Sequence, residues 1–115
     1  MNHLDWKRNM LVCQRTLMTN SGNWIVYISK SEDLNSSGES FTYHINDAEG
    51  KLVSSAMLHG EDSVQAILFC LTAAGDYISR FAPEASFAGL GAACLPVTDL
   101  EAKKEWRASL RIPTN

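Results

Sequence analysis

Long apolar runs are missing from this chain. No stretch approaches the roughly 20 residues of a spanning helix, so no membrane crossing is expected. Lys7 and Arg8 are not followed by an apolar run of about 7 to 15 residues, so no signal peptide is expected either. Cysteine is scarce: Cys13, Cys70 and Cys94 are odd in number, scattered, and form no C-x-x-C pair. That excludes a disulfide framework and fits reduced thiols in a cytoplasmic protein. Phosphate-binding loops are absent in both the G-x-x-x-x-G-K-[ST] and G-x-G-x-x-G forms, as is the G-x-S-x-G nucleophile elbow. Basic residues are nearly absent from the middle. Residues 31–84 hold only Lys51 and Arg80 against nine acids: Glu32, Asp33, Glu39, Asp47, Glu49, Glu61, Asp62, Asp76 and Glu84. A nucleic-acid backbone needs clustered Lys and Arg, so such a partner is excluded there, and a basic partner is favoured.

What remains is an ordinary globular composition: 115 residues, 45% hydrophobic, 20% charged, net charge −3. That is one domain's worth of chain, residues 1–115, with a core expected over about residues 10–110. Residues 10–18 alternate loosely and predict a first strand. "NSGN" at 20–23 is a turn, and "WIVYISK" from Trp24 is the clearest strand. Trp24, Val26 and Ile28 share one of its faces, and Ile25, Tyr27 and Ser29 the other. With both faces largely apolar it reads as a central strand. "SEDLNSSGES" at 31–40 predicts a long hairpin loop. "FTYHI" then alternates, with Phe41, Tyr43 and Ile45 inward and Thr42 and His44 outward. "NDAEG" at 46–50 is a turn, and "KLVSSAML" a fourth strand. Four strands in direct succession predict an antiparallel meander.

After Gly60, apolar residues recur at Val64, Ile67, Leu68, Leu71, Ala74, Ile78 and Phe81, the spacing of one helical face. Asp62 is placed as N-cap, with Gln65 completing a capping box. Gly75 inside this helix implies close packing on a strand or a local bend, and Pro83 ends the run. Residues 85–96 predict an irregular apolar connection. "TDLEAKKEWRASL" opens with a second capping box, Thr98 and Glu101, and repeats Ala102, Trp106 and Leu110 every four residues. It predicts a short C-terminal helix. The expected fold is α+β: a four-stranded antiparallel meander, one long helix packed on a face, and that short second helix.

Catalytic readings find little to stand on. His59 and Glu61 form the H-x-E half of a zinc-deaminase signature, but the two thiolates of P-C-x-x-C are missing. A helix start already accounts for Glu61 and Asp62. Cys13 falls in a strand and Cys70 one residue off the helical stripe; Cys94 has no histidine near it in sequence. "GLGAAC" from Gly89 is followed by neither a lysine nor a capped helix. No catalytic residue, metal or cofactor is therefore expected, and the chain is not expected to be an enzyme. Trp24 and Trp106 fit core or near-core positions, and Trp6 is expected to fold back onto the sheet edge.

The residues Gly60, Asp62, Ser63, Val64, Gln65, Ala66 and Ile67, continued by Leu71 and Gly75, resemble a G-x-D-[ST]-[VI]-Q-A-[LI] helix start. That motif marks an uncharacterised family of small bacterial strand-meander-plus-helix proteins. "RTL" at 15–17 and "IVYISK" sit where that family has its first two strands, so the resemblance spans roughly residues 13–80. Some of its members look like immunity proteins of polymorphic-toxin systems. The resemblance implies a cytoplasmic protein that binds a cognate bacterial toxin and blocks its active site. It transfers no catalytic residue. Contact is expected from the 31–40 loop and the 46–50 turn, through Glu32, Asp33, Glu39, Asp47 and Glu49, with Tyr43 and His44 adding area if that sheet face is open. The toxin would have a basic surface or cleft. Two other readings stay open: a small adaptor or homodimeric interaction domain, and a small ligand-binding or enzymatic domain.

Overall fold

The computed structural model describes residues 10–32 and 37–113. Four strands, β1 (Leu11–Thr19), β2 (Gly22–Ser31), β3 (Glu39–Asn46) and β4 (Leu52–Gly60), form one antiparallel sheet in the order β1-β2-β3-β4. Each strand pairs with its sequence neighbour, so this is the expected meander, with β2 and β3 central. Helix α1 (Ser63–Phe81) packs across one face, mainly over β3 and β4. It is the only α-helix named among the described residues, and it is not long and apolar enough to cross a membrane.

Local chemistry explains how each element begins and ends. Asp47 closes the β3–β4 turn by accepting the backbone N–H of Glu49 at 2.9 Å and of Lys51 at 3.0 Å. An Asx turn of this kind substitutes for backbone partners that a tight turn lacks. Asp62 caps α1 by accepting the N–H of Gln65 at 2.9 Å, and Gln65 Oε1 accepts the N–H of Glu61 at 2.7 Å. The N-cap read from sequence is therefore present, with the return bond of the capping box made to Glu61, one residue before the cap, rather than to Asp62 itself. Pro83 follows the C-cap residue Ala82 and prevents continuation.

The core lies between α1 and the inner sheet face. Leu17, Val26, Ile28, Phe41, Tyr43 and Ile45 are buried on the sheet side. From the helix come Ala66, Cys70, Ala74 and Ile78. The buried helical stripe is thus rotated from the expected one. Val64, Leu68 and Phe81 are largely exposed, and Cys70 sits at the centre of the interface. Interior volume decides this: bulky strand residues already fill the space, so the helix turns its small side chains inward and approaches closely.

The expected C-terminal helix does not form. Residues 97–109 make a small hairpin instead, β5 (Val97–Thr98) paired with β6 (Ala108–Ser109). Thr98, expected as an N-cap, donates its N–H and its hydroxyl to the Asp76 carboxylate at 2.8 and 2.7 Å. Its oxygen points to α1 and caps no helix. Asp99 accepts the N–H of Glu101 at 3.0 Å and receives Arg107 at 3.6 Å, which folds the segment back on itself. A lone helix of this length is marginal without a buried face, and tertiary bonds to α1 outweigh its propensity. Trp106, expected near the core, is about half exposed and meets Phe69 edge-on at 5.1 Å.

Candidate functional site

A meander alternates its connections between two ends, and this separates the residues expected to bind a partner. The β2–β3 hairpin, with Glu32 and Glu39, lies at one end; the β3–β4 turn, with Asp47 and Glu49, lies at the other. β3 itself, eight residues from Glu39 to Asn46, separates them, a span of about 25 Å at 3.3 Å per residue. The structure does not bring the two acidic groups together. Asp33, like Trp6, lies outside the described residues.

Strand register gathers a different set. Glu39 pairs with Gly60, the last residue of β4, so the hairpin arrives beside the start of α1. Ser40 Oγ and His59 Nδ1 share a hydrogen bond of 3.0 Å across this junction. Gly38 has φ +88°, and a side chain there would collide with the carbonyl oxygen of Gly60. The hairpin base therefore sits directly on the β4–α1 corner. Glu32 and Glu39 share this end with Glu61 and Asp62, and Lys30 is held to Glu39 at 3.6 Å. The last two acids are separated from the hairpin by more than twenty residues of sequence, and only the pairing of β3 with β4 reveals them as neighbours. His59 and Glu61, the would-be halves of a metal motif, are engaged in this corner. Among the described residues no three His, Cys, Asp or Glu side chains converge on a common point.

Two further candidate positions behave differently from one another. Tyr43 is buried in the core, its hydroxyl sharing a 2.8 Å hydrogen bond with Ser54, so it presents no contact area. His44 points to the opposite, outer sheet face between Tyr27 and Ser55 and is half-buried. Val12, Met18 and Met57 stand exposed on that face.

Two of the thiols, Cys13 and Cys94, border a cavity beside β1 and β2. This apolar cavity of about 300 Å³ is lined by Cys13, Arg15, Val26, Ile28, Leu71 and Cys94, among others. Arg15 does not reach into it as a free cation. Its guanidinium donates to the carbonyl of Cys94, and to that of Ala93 at 3.4 Å, and lies 4.1 Å over the Phe87 ring. This clamp fixes the 85–95 connection against β1, with Cys94 held at φ 57°. No periodicity in the sequence marks it. Burial pushes the Cys70 thiol up to about 11, eased slightly by a backbone hydrogen bond at Leu58, with neighbouring Cys13 raising it further. Partial burial also raises Cys13, opposed by the Arg15 charge. Both are therefore protonated at neutral pH, which disfavours a nucleophilic role.

No protein-family model matches this chain, and neither a curated protein nor a solved structure matches it.

Proposed function

We propose that this chain is a non-enzymatic binding protein that neutralises a basic partner, and that the partner is a cognate bacterial toxin whose active site it occludes. The observation that carries the reading is the Glu39–Gly60 register, which concentrates Glu32, Glu39, Glu61 and Asp62 at one end of the sheet. Toxins that act on nucleic acid or nucleotides need positively charged clefts, and a fixed group of carboxylates complements such a cleft and speeds encounter. The toxin assignment itself rests on the helix-start resemblance. A cytoplasmic location goes with it.

The experiment expresses the C-terminal domain of the protein encoded immediately upstream, with and without this chain. Restored growth together with a one-to-one complex supports the proposal. Glu32→Lys combined with Glu39→Lys is expected to weaken that complex by about tenfold or more and to slow association. An upstream domain that is not toxic, or that forms no complex, overturns it.

The ligand-binding alternative has one observation in its favour, the 300 Å³ cavity, which is at the small end for a drug-sized ligand. Its one charged lining residue is already committed to the 93–94 carbonyls and the Phe87 ring, so the acidic end remains the stronger site.

A further inference from the structure

An antiparallel sheet leaves two strands with one open edge each, and this protein treats its two edges differently. The β1 edge is guarded. Met18 and Ser86 exchange a pair of backbone hydrogen bonds of 2.9 Å, Arg15 stands in the middle of the strand, and the register shifts between Leu11 and Cys13. Bulges, charges and covering segments are the usual means of stopping a sheet from growing.

Among the described residues the β4 edge has none of these along most of its length. Among the described residues its only backbone partner is β3. From Leu52 to His59 the sequence "LVSSAMLH" contains no Lys, Arg, Asp, Glu or Pro. Its one irregularity lies at the β4 start, opposite Ile45 and Asn46, and the register is regular from Ser54 to Gly60. Ser55, Ala56 and Met57 are exposed, Met57 by 57%. Alternate residues of an edge strand turn N–H and C=O outward, so this edge is a ready template for another strand.

What the strand would pair with is indicated by its flanks. Lys51 precedes it, and Glu61 and Asp62 follow it. Two identical strands running antiparallel bring the basic flank of each against the acidic flank of the other. We propose that a second copy of this chain adds along β4 about a two-fold axis at Ala56, merging the two sheets into one.

In this register Ala56 faces its own counterpart, Ser55 faces Met57 and Ser54 faces Leu58; past the bulge at Val53, the Lys51 flank of each copy lies at the end of the seam where the Glu61 flank of the other arrives. Each pair lies on the same face of its strand, as a continuous sheet requires. No like charges oppose one another within the strand. Each charged contact occurs twice, because a two-fold interface repeats every pair. On the helix side the edge is flanked by a hollow of about 160 Å³ lined by Leu58, Phe69 and Trp106, so a half-exposed aromatic stands beside the seam.

The test uses the chain alone, so its outcome is independent of the toxin proposal. Sedimentation equilibrium over about 1–100 µM is expected to show a monomer–dimer equilibrium in the micromolar range. Ala56→Lys places two like charges on the axis at an exposed position and is expected to abolish dimerisation, while circular dichroism, and thermal unfolding at concentrations where the parent chain is monomeric, stay unchanged. Lys51→Glu and Glu61→Lys are each expected to weaken the dimer by about three- to tenfold, and the double variant to restore it. A monomer at every concentration overturns the proposal. So does a dimer indifferent to Ala56→Lys, or a double variant no tighter than the singles.

Discussion

At the residue scale, Gly75 shows how a single missing side chain can set a packing distance. Glycine within a helix costs roughly 1 kcal/mol against alanine, so an exposed Gly→Ala change stabilises by about that much. Here a Cβ would collide with the Pro96 carbonyl oxygen and press on the Leu95 side chain at 3.2 Å. A backbone carbonyl cannot swing aside as a long side chain can. Gly75→Ala is therefore expected to destabilise the protein by about 2–3 kcal/mol, read as a lower urea midpoint. A stabilised variant would show that α1 does not approach the 95–96 segment this closely. The sequence already marks Gly75 as a contact point, but names the wrong neighbour: the partner is an irregular connection, and no hydrophobic period leads to it.

At the element scale, legibility follows from how local each determinant is. The four strands can be read because alternation and turn chemistry operate within a few residues: Asp47 closes its own turn, and Asp62 caps its own helix. The buried face of α1 is set from outside. Its apolar spacing admits a stripe through Val64 and Leu68, and the bulk of Phe41, Tyr43 and Ile45 selects the small stripe through Cys70 instead. The C-terminal segment fails in the same way. Ala102, Trp106 and Leu110 have helical spacing, and Asp76, more than twenty residues away, accepts the N–H and the hydroxyl hydrogen of Thr98, which turns its side chain toward α1 and away from the backbone N–H groups an N-cap would have to meet. Removing that anchor has a definite expected result. Asp76→Ala should speed hydrogen exchange at the Thr98 amide and at the Asp99 amide, which donates to Arg107 across the hairpin at 2.7 Å. The global cost should be only about 1 kcal/mol, because the bonds are exposed to solvent. Exchange unchanged at those amides would mean that the hairpin, and not Asp76, holds the segment.

At the scale of the whole molecule, the meander places six acids of the acidic middle in two separate groups, Glu32, Glu39, Glu61 and Asp62 at one end of the sheet and Asp47 and Glu49 at the other. Composition shows nine acids between residues 31 and 84 but cannot divide them, because the division depends on which turns share an end of the sheet. The hairpin group around Glu32 and the turn group around Glu49 lie about 25 Å apart, roughly three Debye lengths at physiological salt. Exposed charges so separated act independently on a bound partner. If a basic cleft seats on the hairpin end, Glu32→Lys should weaken the complex substantially, whereas Glu49→Lys should leave its affinity within about threefold. Glu49 is the proper probe of the far end, since Asp47 also holds the turn and its loss would confound charge with stability. The two changes combined should add to within about 0.5 kcal/mol, as expected for sites with no shared contacts. Binding isotherms for the two single variants and the double variant at fixed salt decide the matter. Equal losses from both ends would mean a partner that spans the full length of β3, and would replace an end-on footprint with one along the outer sheet face, where His44 and Met57 lie.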